Sequence, residues 1–524
     1  MNPRLRPWFL VAAAAAGVAV TWTVFYPGVM SPDSLYMYRE GLTHSIDGGT
    51  KTPMSKVLWM GLLTIWSHPA MLLLYQTVVF WSAAALVAAE TRLGPVASAA
   101  VVLGFGLFPT VFGLLGILWS DVVLAVSLLL FVGLALTGRR RGSRAWLVAS
   151  LVPLFVGYSI RVNAPPVAIP LSLWFVALWH GVDRPGAQSF RRLLLPAALM
   201  VIGLMASTAL FNRVSITSGK GSFTRSLQFS FFHDLAGLAV ETGDLRLPSH
   251  VYRALPAMDL ATIRKAYDPA NVNLLIYNGA WPPSAFLTPD PEEFKEVVAV
   301  WWRAIRAHPA AYLKRRLDSL AAVFGFIGTV YYPFHTGLDP NDMGLDFGEM
   351  PAYRPVVGAL EATKGIFFRG WVFVLTAVTI VIAGIRKRRW DAAAVAASGL
   401  FYVAPYLVIT TGADFRYIYW MVVATIAGLI LLVFGRPPVD EGSWVRRSAD
   451  GPPTSEWPDT RQSEIPPEAT SVSSATCEAC LVSKRVALAR YAPVRNATCT
   501  EAGFRGPAPW RRDSSTSPDP LPSW

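Results

Sequence analysis

Four polar segments of this largely apolar sequence carry the residue types that group-transfer chemistry needs. Asp33 and Asp121 are carboxylates, and a carboxylate can accept the proton of an attacking hydroxyl. Arg161 and Arg416 are guanidinium groups, which bind a phosphate and stabilise its charge as it leaves. Neighbouring side chains suited to substrate binding are Asn163, Asp414 and Tyr417. The pattern indicates transfer of a group from a phosphate-bearing donor to a hydroxyl.

The composition of the chain is that of an integral membrane protein. Of its 524 residues, 53% are hydrophobic and 15% are charged, whereas soluble proteins have about 25% charged residues. Mean hydropathy is +0.40. Uncharged runs such as residues 69–89 are long enough to cross a hydrocarbon layer about 30 Å thick. This composition excludes an ordinary soluble enzyme and predicts an all-α polytopic membrane protein.

The apolar runs predict ten transmembrane helices. Short loops assigned to the cytoplasm carry fourteen Lys and Arg residues, against five in the short outer loops. Because basic loops favour the cytoplasm, both termini are expected on that side of the plasma membrane. The third and fourth spans are divided near Pro109, since proline disrupts a helix interior. The predicted spans are 8–25, 69–89, 94–112, 117–137, 145–161, 165–180, 193–212, 366–385, 391–411 and 416–435.

These spans divide the chain into four regions. Residues 1–212 form an N-terminal membrane domain with seven spans and a first outer loop at 26–68, and residues 213–365 form an extracytoplasmic region. Residues 366–435 carry the last three spans. Residues 436–524 are predicted to be a disordered cytoplasmic tail, because they contain too little apolar surface to fold. The net charge of +12 lies before this tail, at the ends of apolar runs, and indicates membrane topology rather than nucleic-acid binding.

Two segments of the extracytoplasmic region are predicted to be helical. Residues 291–317 begin with Glu292 and Glu293, and acidic residues favour the first turn of a helix. Residues 317–334 are apolar enough for an eleventh span, but a span there would move the basic residues at 386–389 outside. We therefore predict a surface or partly buried helix at 317–334.

The candidate residues fall at the outer ends of the predicted spans, whereas transporters usually place ionisable groups midway through. Each residue also has a simpler explanation. Asp33 can cap a helix, Asp121 can favour a helix dipole, and Arg161 can extend toward lipid headgroups. Asp414 and Arg416 can form an ion pair within their own segment, with Tyr417 as an interfacial aromatic residue. As a set they indicate one pocket at the outer membrane boundary.

The polar segments resemble motifs of the GT-C superfamily of membrane glycosyltransferases, particularly bacterial relatives of the protein O-mannosyltransferases. The resemblance covers residues 8–435, and each motif is short. The matching strings are Tyr26-Pro27-Gly28-Val29-Met30-Ser31-Pro32-Asp33-Ser34, Trp119-Ser120-Asp121-Val122-Val123, Arg161-Val162-Asn163, Asp414-Phe415-Arg416-Tyr417 and an outer helix at 308–317.

The resemblance implies a sugar on a polyprenyl-phosphate donor, transferred with inversion on the outer face to a glycan, lipid or protein hydroxyl. Asp33 would be the base, Arg161 and Arg416 would bind the lipid phosphate, and Asp121 would orient the acceptor or support the site. Some members of the superfamily use a divalent cation and others do not, so a metal is left open. Nucleic acid is not an expected partner.

One departure from the family lies in the first outer loop. Relatives often have a His-Pro pair where this sequence has Lys51-Thr52-Pro53-Met54-Ser55-Lys56. Lys51 and Lys56 either contact phosphate or are interfacial lysines. Two other functions remain open: a transporter or flippase of lipid-linked sugars, and a noncatalytic assembly protein with a decayed site.

Overall fold

The computed structural model describes residues 5–437, except 47–50, 183–186, 218–223, 278, 327–331, 347 and 349. These residues form helices joined by short connections, and within them no β-strand occurs. The predicted disordered tail lies, from residue 438 onward, outside the described residues.

The α-helices are numbered in chain order, and three short 3₁₀ helices lie between them. The first ten are α1 (Arg6–Phe25), α2 (Pro32–Thr43), α3 (Pro53–Leu63), α4 (Ala70–Ala89), α5 (Pro95–Gly106), α6 (Pro109–Leu115), α7 (Ser120–Arg141), α8 (Arg144–Ser159), α9 (Ala168–Trp179) and α10 (Ala187–Ser215). The next seven are α11 (Thr224–Thr242), α12 (Ser249–Ala254), α13 (Leu260–Ala266), α14 (Asn273–Ile276), α15 (Pro291–Ala307), α16 (Pro309–Phe324) and α17 (Tyr353–Phe367). The last four are α18 (Gly370–Arg386), α19 (Trp390–Val403), α20 (Tyr406–Ile409) and α21 (Tyr419–Phe434). The 3₁₀ helices are Pro165–Val167, Pro283–Ala285 and Phe415–Ile418.

Six helical segments in the described part of the chain are long and apolar enough to cross a membrane. They are Arg6–Phe25, Ala70–Ala89, Ser120–Arg141, Gln188–Ser215, Trp390–Ile409 and Phe415–Phe434. The number rises to eight if two bent pairs each count as one span: α5 with α6, bent by 64°, and α17 with α18, bent by 58°. The all-helical prediction is confirmed for the described residues. The count of ten stays a prediction, because the apolar segments Arg144–Ser159 and Pro165–Trp179 are shorter.

Prolines and glycines set several helix ends differently from the predicted boundaries. The apolar stretch around Pro109 breaks twice, once before α6 and again before α7 at Ser120. The predicted helix 291–317 is divided at His308, because the residue before a proline disfavours helical backbone. The predicted helix 317–334 ends at Phe324, where Gly325 adopts a left-handed backbone with φ of 63°.

Close packing of α1, α4 and α5 depends on Trp81, which is fully buried. Its indole lies between Gly17 of α1 and Gly106 of α5, and a Cβ atom at either glycine would overlap the ring. The indole Nε1 donates a hydrogen bond of 3.0 Å to Thr21 Oγ1. The two glycines therefore let three helices approach one aromatic ring.

Gly106→Ala is expected to destabilise the protein by about 1–3 kcal/mol, the usual effect of overpacking a filled core. The midpoint of thermal unfolding in detergent measures this effect. Gly104→Ala, in the same helix, is the matched control, because a Cβ at Gly104 would meet no heavy atom within 4 Å. Equal midpoints for the two variants would contradict the packing argument.

A separate apolar core is built by residues of α11 to α16 and the segments between them, within the predicted extracytoplasmic region 213–365. Phe232 and Phe286 are fully buried at its centre, with ring centroids 5.2 Å apart. α15 contributes Val297 and Val300 from one face, as an amphipathic helix does. This region packs against the segment that leads into α21, and that segment carries residues of the candidate site.

Candidate functional site

The segment between α1 and α2 is fixed to the segment before α7 by backbone hydrogen bonds. Val29 N–H donates to Gly116 O at 3.0 Å, and Leu118 N–H donates to Val29 O at 2.9 Å. Ser34 Oγ adds a bond of 2.9 Å to Leu118 O. Since α2 begins at Pro32, these contacts hold Asp33, in the first turn of α2, beside the start of α7.

The Asp33 carboxylate is paired with two cations that are distant in sequence. Its Oδ2 atom lies 2.7 Å from Lys51 Nζ and 2.9 Å from Arg416 Nη1. Burial raises the pKa of Asp33, but the charges of Lys51 and Arg416 outweigh burial and hold that pKa well below its usual value. Asp33 does occupy the first turn of α2, where a carboxylate is favourable, yet its side chain bonds beyond its own helix.

Arg416 connects two carboxylates and two aromatic rings. Besides Asp33, it contacts Asp414 Oδ2 through Nε and Nη2, both at 2.9 Å. Its guanidinium carbon lies 4.6 Å from the ring centroid of Trp119 and 5.4 Å from that of Tyr417. A guanidinium held on several sides in this way has a fixed orientation, which suits recognition of an anion.

Arg161 is held by a second carboxylate, Asp121. Arg161 Nη2 lies 3.2 Å from Asp121 Oδ1, and the Tyr402 hydroxyl donates to the same oxygen at 3.3 Å. Asn163 Nδ2 donates to the Tyr406 hydroxyl at 2.8 Å. Asp121 is 1% exposed and does not line the cavity beside Arg161. This position suits support of Arg161 rather than contact with a substrate.

One cavity of about 290 Å³ joins these residues. The residues predicted from the sequence that line it are Asp33, Lys51, Arg161, Asn163, Asp414, Arg416 and Tyr417. The region of α11 to α16 contributes another wall, which includes Phe229, Asn271, Asn273 and Tyr277. The structure therefore brings the predicted residues together at one place, with Asp121 directly behind.

Two walls of this cavity differ in charge. Lys51, Arg161 and Arg416 are cationic, and burial, the largest influence, lowers the pKa of Lys51 although Asp33 opposes the shift. On the wall formed by the region of α11 to α16, Phe229 and Tyr277 are a tilted aromatic pair with centroids 6.0 Å apart. Burial and the charge of Asp33 raise the pKa of the Tyr277 phenol. The cavity thus offers three cations, with the carboxylates of Asp33 and Asp414 among them, on one side and neutral aromatic and amide groups on the other.

The carboxylates of the cavity do not fit a divalent cation. Within the described residues, no group of three or more His, Cys, Asp or Glu side chains is arranged to hold a metal ion. Asp33 and Asp414 both bond Arg416, so a metal there would replace a positively charged partner.

The segment that leads into Asp414 is held by the region of α11 to α16. Ala413 N–H donates to Ala270 O at 2.8 Å, and Val272 N–H donates to Thr411 O at 2.9 Å. Arg316 Nη1 donates to Thr410 O at 3.2 Å. Arg316 and its neighbour in the chain, Arg315, both pair with the fully buried Asp234, so a buried ionic cluster supports this segment.

The two lysines of the segment 26–68, predicted as the first outer loop, have different environments. Lys51 lies in the cavity, as described above. Lys56 is fully buried and forms an ion pair with Glu40, so it is neither an interfacial lysine nor a lining residue of the cavity. Phosphate contact and an interfacial position were the two readings of Lys56, and neither holds because its partner Glu40 lies on the neighbouring helix α2.

Sequence reasoning missed the tyrosines behind the site. Tyr402 near the end of α19 and Tyr406 at the start of α20, whose hydroxyls contact Asp121 and Asn163, are four residues apart in one predicted span. Two polar hydroxyls at this spacing face one side of a helix and were a usable signal. Trp119 was not predicted as a site residue, although it belongs to one of the motifs and its ring lies against Arg416.

Comparison with known proteins gives no assignment. No model of a known protein family matches the chain, and no functionally characterised protein is significantly similar to it.

Proposed function

We propose that this protein is a membrane glycosyltransferase of the GT-C type. It transfers a sugar from a polyprenyl-phosphate donor to an acceptor hydroxyl at the outer face of the plasma membrane. The observation that carries the proposal is the cavity in which Asp33 contacts both Lys51 and Arg416, with Arg161 in the same wall. A carboxylate among cations at a span end is the arrangement that hydroxyl activation and phosphate release require.

The proposed reaction is a single displacement. The acceptor oxygen forms a bond to the anomeric carbon while the bond from that carbon to the phosphate oxygen breaks, so the configuration inverts. The proton of the acceptor hydroxyl goes to Asp33, and the electron pair of the broken bond stays on the polyprenyl phosphate. Arg161 and Arg416 stabilise the charge of that leaving group.

The ion pairs of Asp33 have a role in this scheme. With Lys51 and Arg416 bound to it, the carboxylate is a weak base, because both cations hold its pKa low. When a donor phosphate engages the same cations, they stabilise the carboxylate less and the added negative charge opposes its ionisation. Both changes raise the pKa of Asp33, so donor binding prepares the base.

The neutral wall of the cavity is the proposed acceptor side. Tyr277 and Phe229 present aromatic rings, and Asn271 and Asn273 present amides. Exposed aromatic rings pack against apolar faces, and amides donate to and accept from hydroxyls. These groups lie on the extracytoplasmic region, where an acceptor approaching from outside arrives.

Sugar transfer in membranes tests the proposal. Membranes containing the protein are incubated with a polyprenyl-phosphate donor carrying a radiolabelled sugar, and labelled acceptor is measured against membranes without the protein. We expect transfer that depends on the protein. Movement of the intact donor across the bilayer without transfer would support a flippase instead, and neither activity would support the noncatalytic alternative.

Lys51→Arg is expected to extend transfer to higher pH. Burial lowers the pKa of Lys51, so this lysine loses its charge at a lower pH than an exposed lysine. Because kcat/KM reports the ionisation of the free enzyme, its alkaline limit should move upward when Arg, which stays protonated, replaces Lys51. The pH profile of kcat/KM for the donor measures the shift. An unchanged alkaline limit would show that Lys51 ionisation does not control donor use.

A further inference from the structure

A second cavity, of about 150 Å³, lies at the other end of the membrane helices from the candidate site. α7 connects the two ends: Ser120 lines the first cavity and Arg139 lines the second. Nineteen residues of helix separate them, a length of about 28 Å at 1.5 Å per residue. The second cavity is therefore near the opposite membrane surface, and nothing in the proposed reaction uses it.

The walls of this cavity are apolar and come from α9, α10, α18 and α19. α9 contributes one helical face, including Leu173, Trp174 and Ala177, at spacings that lie on the same side of a helix. α19 contributes Ala394 and Ala397, whose methyl groups are too short to reach across the gap. Small residues opposite large ones leave a slot bounded by hydrocarbon, which suits an acyl chain.

The charged groups inside the cavity are neutralised, unlike those at its rim. Asp391 lies 3.3 Å from Arg139 and 3.0 Å from Arg389, and Arg389 also donates to Gly435 O at 2.9 Å. Five basic residues form what we call the rim: each lines the cavity or is next in the chain to a lining residue, and none of them forms an ion pair within the described part of the chain. They are Arg191, Arg192, Arg386, Lys387 and Arg388.

Arg388 is the rim residue that also lines the cavity. Its backbone has φ of 56°, in the left-handed region, just after α18 ends. Glycine is the usual residue at such a helix end, since it adopts this conformation without steric cost. Here an arginine occupies the position, which sets a guanidinium at the mouth of the apolar slot.

From this juxtaposition we infer that the second cavity binds one anionic glycerophospholipid, with an acyl chain between α9 and α19 and its phosphate at Arg388 and the other basic residues of the rim. Basic clusters beside gaps between membrane helices bind anionic headgroups, because each Lys or Arg near the surface attracts them. The apolar walls account for binding of the acyl chain, and the basic residues of the rim account for the preference for an anionic headgroup. This inference does not depend on the proposed glycosyl transfer.

Lipid retention by the purified full-length protein tests the headgroup. Native mass spectrometry is used after exchange into detergent with dioleoyl-phosphatidylglycerol or dioleoyl-phosphatidylcholine, which have the same chains. We expect one retained phosphatidylglycerol and much weaker retention of phosphatidylcholine. The double variant Arg192→Gln with Arg388→Gln should weaken phosphatidylglycerol binding about 25-fold, from the usual contribution of two basic residues.

The matched control removes two charges elsewhere: Arg264→Gln with Lys265→Gln, both exposed on α13. It should retain phosphatidylglycerol as the unmodified protein does. Equal retention of the two lipids by the unmodified protein, or full retention by the rim variant, would overturn the headgroup assignment.

A second pair of variants tests the acyl chain. Ala394→Trp fills the slot and should reduce phosphatidylglycerol retention, with Ala394→Leu as a smaller replacement if the larger one does not fold. Ala149→Trp places the same ring on an exposed position of α8, outside the cavity, and should leave retention unchanged. Undiminished retention in the folded Ala394 variant would exclude the slot as the chain site.

Discussion

Asp33→Asn is expected to reduce sugar transfer by about 100-fold to 10,000-fold, the usual contribution of a general base. Asparagine keeps the shape of aspartate but does not take up the proton of the acceptor hydroxyl. The initial rate of transfer in membranes, normalised to the amount of protein, measures the loss. The structure adds a second expectation, because Lys51 and Arg416 would lose the carboxylate that they contact.

Those two cations would then bind the donor phosphate without competition from Asp33. We therefore expect kcat to fall while KM for the donor stays the same or falls, which is the kinetic pattern of a lost transition-state interaction rather than of lost binding. A variant that transfers sugar at the normal rate would remove Asp33 from the role of base. A large rise in KM at unchanged kcat would assign it to binding instead.

Asp318→Asn is the matched control for this experiment. Asp318 is an exposed carboxylate of α16, 3.5 Å from Lys314, and it does not line the cavity. Exposed ion pairs contribute little to stability, so this variant should keep normal transfer. Loss of transfer in both variants would indicate a general effect of removing an acidic residue and would leave Asp33 without a specific role.

Asp234→Asn is expected to give the largest loss of stability, about 3–5 kcal/mol, because it leaves buried cations without their counter-charge. Asp234 is fully buried, pairs with Arg315 and Arg316, and accepts a bond of 2.8 Å from Trp301 Nε1. The midpoint of thermal unfolding of the purified protein measures the loss. Arg316 also holds Thr410 O, so transfer should fall together with stability.

Glu292→Gln is the control for Asp234. Glu292 pairs with Lys295 at 2.7 Å on the surface of the same region, with both side chains more than two-thirds exposed: 77% for Glu292 and 71% for Lys295. Its replacement should change the free energy of unfolding by about 1 kcal/mol or less. If Asp234→Asn unfolds at the same temperature as this variant, the buried cluster does not support the region as described.

The sequence predicted which residue types form the candidate site, but it did not predict which side chains form ion pairs with one another. Asp33 and Arg416 were both selected from the sequence, yet their contact joins positions 383 residues apart and depends on how α2 meets the start of α21. Lys51 and Lys56 looked alike, five residues apart in one loop. Tertiary packing alone gives them different environments: Lys51 lines the cavity, whereas Lys56 forms an ion pair with Glu40.

The sequence by itself determined the membrane character, the helical class and several helix ends. Hydropathy depends on each residue's own side chain, and a proline such as Pro309 or a glycine such as Gly325 acts on the backbone next to it. The tertiary structure alone decided which carboxylate neutralises which cation, and that Asp121 lies behind Arg161. Such pairings depend on distances between helices that no local pattern encodes, because burial and Coulomb interactions act between residues close in space, whatever their separation along the chain.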